Sequence, residues 1–367
     1  MEWQDELEGR RERFRQLVDE HECDAALVYG AHGHGEHFRY LTNFAPALGD
    51  MWFLSHTDAP PLCVLDFDWQ LEEARRRSGI DDWRARFGAA PLAAELLAGA
   101  SPRRLAVAGL DRLPVTAWET VRTGLGPAEI VDLGAELARL RRRKSQLELE
   151  RLREAAGLTD AALELARSAA RPGIPERELA ARIGQALGPE WAFPPTVISG
   201  NDDPIPIREP TERRLEQGDT VMIDIGAGYE GYQADASRTF VLGEPSELQR
   251  RVWDVVLRTY EAALRAVRAG VACRTVHDIA ARMAESNGFR LAHRIGHGIG
   301  LATSFEWPDL GRDEEPLESG TTICIEPSIA TAGAGVMKLE DDLVVTDDGY
   351  ELLTSSDRSL EAWPAHV

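Results

Sequence analysis

The fold of this chain is decided by residues 220–240, which read TVMIDIGAGYEGYQADASRTF. An apolar run ends at Asp224, a glycine-rich stretch follows, and a second β-branched and aromatic run begins after Asp235. This pattern predicts a β-hairpin with its turn near Tyr229 and Glu230. On neighbouring strands the two aspartates would lie roughly across from each other, so both carboxylates could meet one ion or a pair of ions.

The C-terminal half of the chain contains an internal repeat. RPGIPER at 171–177 recurs 97 positions later as RAGVACR at 268–274. LEQGDTVMID at 215–224 recurs 102 positions later as LESGTTICIE at 317–326. The repeat predicts a duplicated helix-helix-hairpin unit that places a metal site between its two copies.

Five metal-capable residues lie in or beside this repeat. Asp224 and Glu326 are equivalent residues of the two copies, and Asp235 and Glu340 are their second-strand counterparts. The second hairpin is three residues longer, and His297 has no counterpart in the first copy. Four carboxylates and one imidazole suit two divalent cations per chain, manganese first, with cobalt, zinc or iron as alternatives.

These residues and their neighbours resemble the family of methionine aminopeptidase, prolidase and aminopeptidase P, whose fold is called pita-bread. The resemblance is carried by the segments 224–226, 235–240, 293–298, 325–327 and 339–341. It extends upstream through 143–148 and 40–44. It therefore points to the prolidase and Xaa-Pro aminopeptidase branch, which has a creatinase-like N-terminal domain.

The resemblance implies a dinuclear metallopeptidase that cleaves peptide bonds as an Xaa-Pro aminopeptidase or dipeptidase. Asp235 and Glu340 would bridge the ions, Asp224 would bind mainly one, and His297 with Glu326 would bind the other. A hydroxide between the ions would attack the peptide carbonyl as the nucleophile. The expected substrate is a small peptide or a small amide.

The sequence departs from the family at the positions that contact substrate. The family carries a histidine seventeen residues before the first aspartate ligand, where this chain has Ile207. A second family histidine is replaced by Ser304 or Phe305, depending on the alignment, and an arginine two residues before the last ligand is replaced by Lys338. Lysine keeps the charge and loses the bidentate fork. We assign Ile207, Phe305 and Lys338 as substrate-binding positions, and His293, the remaining supporting histidine, as a catalytic residue.

Two alternative functions follow from these departures. A creatinase-like or ectoine-hydrolase-like enzyme would use the same fold to hydrolyse a C–N bond of a small solute. A metal-stabilised binding protein with little turnover would keep the metal ligands for folding and lose the substrate contacts. Loss of one oxyanion donor typically raises the activation free energy by about 2.7–4 kcal/mol. The missing donors therefore weaken the case for the usual Xaa-Pro substrate but do not exclude hydrolysis.

The domain organisation is predicted from the alternation of elements. Residues 1–140 alternate apolar strand-like runs with helical stretches, which indicates an α/β domain. The resemblance implies that this is the creatinase-like N-terminal domain. Residues 141–367 would form the α+β pita-bread catalytic domain. The arginines and glutamates of residues 137–153 alternate at helical spacing, so we expect one salt-bridged surface helix there, not a nucleic-acid contact.

The charge of the chain argues against polyanionic partners. It has 41 lysine and arginine against 62 acidic side chains, a formal net charge of -21. Only Lys144 and Lys338 among its basic residues are lysines. We expect no nucleic-acid partner and a halophilic surface, kept soluble in high salt by dense carboxylates.

Assembly and location are predicted from the resemblance and from composition. The family forms homodimers in which the loop holding His32, His34 and His37 lies near a partner's active site, so one of these histidines would contact substrate. The four cysteines have no paired spacing, and no apolar stretch of membrane-spanning length exists. We expect buried thiols and a cytoplasmic protein without a membrane partner.

Overall fold

The computed structural model describes residues 2–56, 59–202, 204–302 and 306–361. The chain divides into two compact units, residues 1–141 and 142–367, here called the N-terminal and C-terminal units. Each unit buries its own apolar core. Among the described residues, no helix has the length and apolar character needed to cross a membrane.

The N-terminal unit is an α/β domain, as the sequence predicts. Its strands are β1 (Ala25–Ala31), β2 (Asp50–His56), β3 (Ala59–Leu65), β4 (Asp82–Ala85), β5 (Arg104–Ala108) and β6 (Glu129–Asp132). Its helices are α1 (Trp3–Glu20), α2 (Glu36–Thr42), α3 (Leu71–Ser78), α4 (Ala90–Ala100), α5 (Val115–Leu125) and α6 (Gly134–Leu140). The described strands form one mixed sheet in the order β4-β3-β2-β1-β5-β6. β1 is buried on both faces, which explains its unbroken apolar sequence.

Two histidines of the predicted substrate-contact segment, His32 and His37, contact other residues of the N-terminal unit. His37 lies in the first turn of α2, and its Nδ1 lies 2.6 Å from Nη1 of Arg141. Burial, with the arginine charge, lowers the pKa of His37 well below its ordinary value. His32 Nδ1 lies 3.2 Å from the carbonyl oxygen of Pro46. A contact of any of these histidines with a partner's substrate stays a prediction.

The C-terminal unit contains the two predicted copies. The first comprises α7 (Gln146–Ala169), α8 (Glu176–Leu187), β7 (Thr196–Ser199), β8 (Thr220–Ile225), β9 (Gly228–Tyr229), β10 (Tyr232–Gln233) and β11 (Ala236–Val241). The second comprises α9 (Glu247–Ala266), α10 (Cys273–Ser286), β12 (His297–Gly298), β13 (Glu306–Asp309), β14 (Thr322–Ile325), β15 (Ser328–Thr331), β16 (Gly335–Lys338), β17 (Asp341–Val345) and β18 (Tyr350–Leu352). Over the described residues β7, β8 and β11 form one sheet, and β12, β13, β14, β17 and β18 form another.

Matching backbone bonds show the duplication directly. In the first copy the N–H of Gly173 donates to the carbonyl of Leu215 at 2.7 Å. In the second copy, 97 and 102 positions later, Gly270 donates to Leu317 at 2.9 Å. Both glycines have positive φ, 89° and 85°, which glycine adopts without steric cost. The sequence repeat therefore marks the same turn before the second helix of each copy.

The single surface helix predicted over residues 137–153 is wrong. α6 ends at Leu140, and α7 begins at Gln146 with Ser145 as its N-cap. Ser145 and Glu148 form a capping box, in which the N–H of Ser145 donates to Oε2 of Glu148 at 2.9 Å. The pattern Ser-x-x-Glu marks a helix start, so the sequence carried the signal for this break. Arg142 is buried, with its guanidinium 3.7 Å from the ring centroid of Trp307.

Candidate metal centre

The first hairpin presents two aspartates on one face. β8 and β11 pair with Asp224 opposite Ser237, and the hairpin turns at Glu230 and Gly231, where φ is 48° and 85°. The turn lies one residue later than predicted, and Asp235 is two residues from the partner of Asp224, not opposite it. Because side chains two apart share a strand face, both carboxylates still point the same way.

The second hairpin brings its two glutamates into register. β14 and β17 pair with Ile325 opposite Asp341, so the next residues outward, Glu326 and Glu340, face each other. The hairpins of the two copies meet at this point, where the N–H of Glu340 donates to the carbonyl of Ser237 at 3.0 Å. The four carboxylates thus converge between the copies, as the repeat predicts.

His297 adds the imidazole from β12. Its Nδ1 lies 3.0 Å from the carbonyl oxygen of Gly298, and its Nε2 lies 3.6 Å from Oδ2 of Asp235 and 3.7 Å from Oε1 of Glu326. Burial lowers the pKa of His297. A neutral ring that donates through Nδ1 leaves Nε2 as a lone-pair ligand aimed at the carboxylates.

The residues present fit divalent metal ions. Within the described residues, ligand atoms converge to within 4.8 Å in two groups, one formed by Asp224, Asp235 and Glu340 and one containing His297, Glu326 and Glu340. Glu340 belongs to both groups. Oδ1 of Asp224, Oδ1 of Asp235 and Oε1 of Glu340 are buried without a hydrogen-bond partner. Buried carboxylate oxygens without donors cost free energy, and a divalent cation would satisfy them.

Lys338, predicted as a substrate contact, directs its ammonium into this cluster. Its Nζ lies 2.7 Å from Oδ2 of Asp224, 2.7 Å from Oε2 of Glu340 and 3.1 Å from Oε2 of Glu326. Burial acts to lower the pKa of Lys338, but the three carboxylates outweigh it and raise the pKa well above its ordinary value. The side chain is therefore a charged internal cation, and its substrate contact stays a prediction.

The carboxylates do not ionise alike around this ammonium. Burial and the neighbouring charges of Glu340 and Asp224 raise the pKa of Asp235 well above its ordinary value. Burial raises the pKa of Glu340 to about 8. Burial also acts to raise the pKa of Glu326, but Lys338 and His297 outweigh it and hold it at about 2. The cluster therefore holds protons that bound metal would replace.

Two residues that sequence reasoning did not assign lie at this cluster. Cys324, two residues before Glu326, has its Sγ in the group that contains His297. Burial and the charges of Glu340 and Glu326 raise its pKa well above its ordinary value, so the thiol stays protonated. Asp342 accepts the backbone N–H of Asp235 through Oδ2 at 2.8 Å and so fixes that residue. The alternation of side chains along a strand was the available signal for Cys324.

A cavity of about 780 Å³ opens beside the cluster. Its lining includes His293 and Ile207. His293 Nδ1 lies 2.8 Å from the carbonyl oxygen of Arg294 and 3.6 Å from Oε2 of Glu326, and the side chain of Ile207 is 69% exposed. Both predicted positions thus face the space where a ligand would bind, whereas Phe305 and Ser304 lie outside the described residues.

The remaining lining combines apolar and charged side chains. Apolar surface comes from Phe193 and Leu291, and positive charge comes from Arg290, Arg294 and Arg312. Arg294 is paired with a neighbouring carboxylate, since its Nη1 lies 2.9 Å from Oδ2 of Asp309. The cavity therefore has both an apolar wall and basic groups beside the metal-capable cluster.

Comparison with known proteins identifies the class and then the family. A duplicated hairpin fold that brings four carboxylates and an imidazole together beside a cavity is the arrangement of a metal-dependent hydrolase. Residues 150–347 match the model of metallopeptidase family M24, and residues 10–143 match the creatinase/prolidase N-terminal domain. The chain belongs to metallopeptidase family M24, and the enzyme is a metallopeptidase.

Similar proteins agree with this family. An uncharacterised peptidase of Staphylococcus aureus (strain MSSA476) is 32% identical over 251 residues, 66% of this chain and 71% of that protein. The structure of an Xaa-Pro dipeptidase from Bacillus anthracis matches with a TM-score of 0.87 and 28% identity, covering 97% of this chain and 99% of that one. The prolidase from Pyrococcus horikoshii OT3 matches with a TM-score of 0.87 and 25% identity, over 96% and 99% of the chains. The predicted pita-bread fold and prolidase branch are confirmed.

Proposed function

We propose that this metallopeptidase cleaves Xaa-Pro peptides with two divalent metal ions, manganese being the first expected. The proposed ligands are Asp224, Asp235, His297, Glu326 and Glu340. The convergence of their ligand atoms beside one cavity is the observation that carries this proposal. Similarity to an Xaa-Pro dipeptidase and a prolidase supports the substrate class.

The residues around the ligands would orient the peptide. Bound divalent ions would polarise the scissile carbonyl and make water at the site more acidic. His293 donates through Nδ1 to the carbonyl oxygen of Arg294, which leaves Nε2 of the neutral ring to accept a hydrogen bond from the substrate. Asp342, by holding the backbone of Asp235, would keep that ligand in place.

The lining of the cavity fits a short peptide with an apolar residue. Phe193 and Ile207 offer apolar surface against which a prolyl ring can pack. Arg290 and Arg312 bring positive charge that suits the terminal carboxylate of a dipeptide. The proposed substrate is therefore a dipeptide or short peptide with proline after the scissile bond.

A peptide panel tests this proposal. The protein loaded with Mn²⁺ or Co²⁺ is assayed in high KCl with Xaa-Pro dipeptides, Xaa-Pro tripeptides and matched peptides that lack proline. We expect turnover of the proline peptides and little turnover of the others. A metal-loaded, folded protein that cleaves none of them would overturn the proposed substrate.

One observation favours a second candidate function. Ile207 is exposed at the position where the resembling family places a histidine donor, so the cavity offers less support to a peptide oxyanion. A guanidino or amidine solute of the creatine or ectoine type has no scissile carbonyl, so its hydrolysis would not need that oxyanion donor. Turnover of such a solute, with none of Xaa-Pro peptides, would assign the chain to C–N hydrolysis of small solutes.

A further inference from the structure

The ammonium of Lys338 has the surroundings of a bound cation. Its side chain is 7% exposed, and Nζ contacts one oxygen each of Asp224, Glu340 and Glu326 at 2.7–3.1 Å. The ammonium donates a hydrogen bond to Oδ2 of Asp224, and the oxygens of Glu340 and Glu326 lie at ion-pair distance. Two of the three carboxylates, those of Asp224 and Glu340, are also the proposed ligands of one divalent ion.

Composition indicates that lysine is a specific choice at this position. Of 41 lysine and arginine residues only Lys144 and Lys338 are lysines. Both are buried, at 8% and 5% exposure, so arginine supplies the basic surface of the described residues. An arginine guanidinium spreads its donors over a planar fork, whereas an ammonium concentrates its charge at one point that several oxygens can surround.

The other side of the cluster is arranged differently. Oε2 of Glu326 contacts Lys338, whereas Oε1 faces Nε2 of His297 at 3.7 Å. Oδ2 of Asp235 also lies 3.6 Å from that nitrogen. An ion bound between His297, Asp235 and Glu326 would therefore meet ligand atoms that are not the ones contacted by the ammonium.

We propose that Lys338 is a built-in cation that competes with a divalent ion for the position between Asp224 and Glu340. This inference rests on the ligand set of the proposed function. The protein then holds one ion firmly on the His297 side and a second ion only when the ammonium has left. If the displaced form of Lys338 is populated at about one part in ten or less, the second ion binds about tenfold or more weakly than its intrinsic affinity.

Replacement of Lys338 by methionine removes the charge while keeping a chain of similar length. Wild type, Lys338→Met and Lys144→Met are loaded with Mn²⁺, passed through gel filtration and analysed for metal and protein, and the two binding steps are measured by calorimetry. We expect wild type to retain about one ion per chain and Lys338→Met about two, with the second Kd lowered about tenfold or more. Lys144→Met, which removes the other buried lysine, should behave as wild type.

Thermal unfolding gives a second measurement that does not depend on retained metal. Without Lys338 the carboxylates repel one another, so metal-free Lys338→Met should unfold at a lower temperature than wild type. Added Mn²⁺ should then raise the Tm of the variant by more than that of wild type. If Lys338→Met folds only with metal, it is purified in Mn²⁺ and its metal content is compared directly.

The results separate the two levels of inference. Wild type that retains two ions per chain, or Lys338→Met with an unchanged second Kd and an unchanged gain in Tm, would overturn the competition and leave the ligand set standing. Failure of both proteins to bind Mn²⁺ would overturn the ligand set and the competition with it.

Discussion

Ile207 faces the cavity at the position where the resembling family carries a histidine. A histidine placed there would add one donor near a developing oxyanion, and such a donor contributes about a hundred- to a thousandfold in rate. We expect Ile207→His to raise kcat/KM for an Xaa-Pro peptide by about tenfold or more, a low share of that range. Steady-state kinetics of the metal-loaded variant measure this.

A neighbouring isoleucine supplies the control for this substitution. Ile205 is 45% exposed and is not part of the cavity lining, so Ile205→His adds the same group away from the substrate. An equal gain in both variants would point to a non-specific effect. No gain in a folded, metal-bound Ile207→His protein would mean that this position does not face the scissile carbonyl, or that the reaction is not peptide hydrolysis.

Asp235 is the carboxylate whose loss should affect metal binding most. It belongs to the group with Asp224 and Glu340, its Oδ2 also lies 3.6 Å from His297 Nε2, and its Oδ1 has no hydrogen-bond partner. An amide cannot bridge two cations as a carboxylate does, so Asp235→Asn should retain at least one ion fewer per chain than fully loaded wild type. Elemental analysis at saturating Mn²⁺ tests this, with the exposed Asp254→Asn as the control. Equal metal content and affinity in Asp235→Asn and wild type would contradict the role.

The proposed ligands could be located from sequence because the repeat marks equivalent positions in two copies. The role of Lys338 could not be predicted from sequence, since it depends on the conformation of a flexible side chain. Its separation of two residues from Glu340 placed it on the same strand face, but the sequence did not say whether the ammonium meets substrate or carboxylates. Asp342 was likewise missed, because its partner is a backbone N–H 107 positions away.

At the scale of elements, Glu176 fixes the loop that carries Ile207. Its carboxylate is buried in the first turn of α8 and accepts from the N–H of Ser199 at 2.8 Å and from Arg208 and Thr211 at 2.7 Å. Arg208 directly follows Ile207, so this buried carboxylate ties the loop to the helix. Burial acts to raise the pKa of Glu176, but these hydrogen bonds outweigh it and lower the pKa to about 2.

This shift predicts a pH-dependent contribution to stability. A carboxyl group whose pKa is depressed by folding stabilises the folded state above its unfolded pKa, and that stabilisation is lost as pH falls through the folded value. The change from the ordinary value of 4.5 to about 2 corresponds to about 3 kcal/mol at neutral pH. Glu176→Gln should lower the free energy of unfolding by about that amount at pH 7, and the difference should close between pH 4.5 and about 2.

Denaturant unfolding of wild type and Glu176→Gln at several pH values measures this difference. Glu178→Gln is the matched control, since Glu178 lies two residues along the same helix in an exposed pair with Arg182. Such exposed pairs contribute about 0.3–0.5 kcal/mol, so the control should change little. A difference for Glu176→Gln that stays constant down to pH 2 would contradict the assigned pKa.

Elements were predicted well where local patterns determine them and less well where tertiary contacts decide. The apolar runs of the N-terminal unit became strands, and β1, which is buried on both faces, is continuously apolar for that reason. The predicted helix is interrupted after α6 because Ser145 caps α7 and the buried side chain of Arg142 packs on Trp307. The hairpin register also differed, since Glu230 and Gly231 set the turn.

At the scale of the whole molecule, the predicted homodimer follows from the resemblance to the prolidase branch. We expect a dimer of the full-length chain in high salt, and a monomer after removal of residues 1–135. Light scattering of both proteins at equal concentration measures their masses. A monomeric full-length chain would reject the dimer, and with it a substrate contact by a partner's His32, His34 or His37.

The charge of the whole molecule predicts a dependence of stability on salt. A formal net charge of -21 makes the folded chain repel itself, because 62 acidic side chains face only 41 basic ones. The Debye length falls from about 10 Å at 0.1 M salt to about 3 Å at 1 M, so molar KCl screens this repulsion. Each kcal/mol regained should raise Tm by about 2–4 °C in a domain of 150–250 residues.

Thermal unfolding from about 0.1 to about 2 M KCl tests a halophilic character. We expect Tm to rise steadily over this range, and to rise less in a variant in which several exposed glutamates are replaced by glutamine. Suitable positions for these replacements, all exposed, are Glu20, Glu119, Glu150, Glu154 and Glu314. A general salting-out effect would act equally on both proteins, so only the difference between their slopes reports the surface charge. Equal slopes, or a Tm that does not rise with KCl, would contradict the halophilic character.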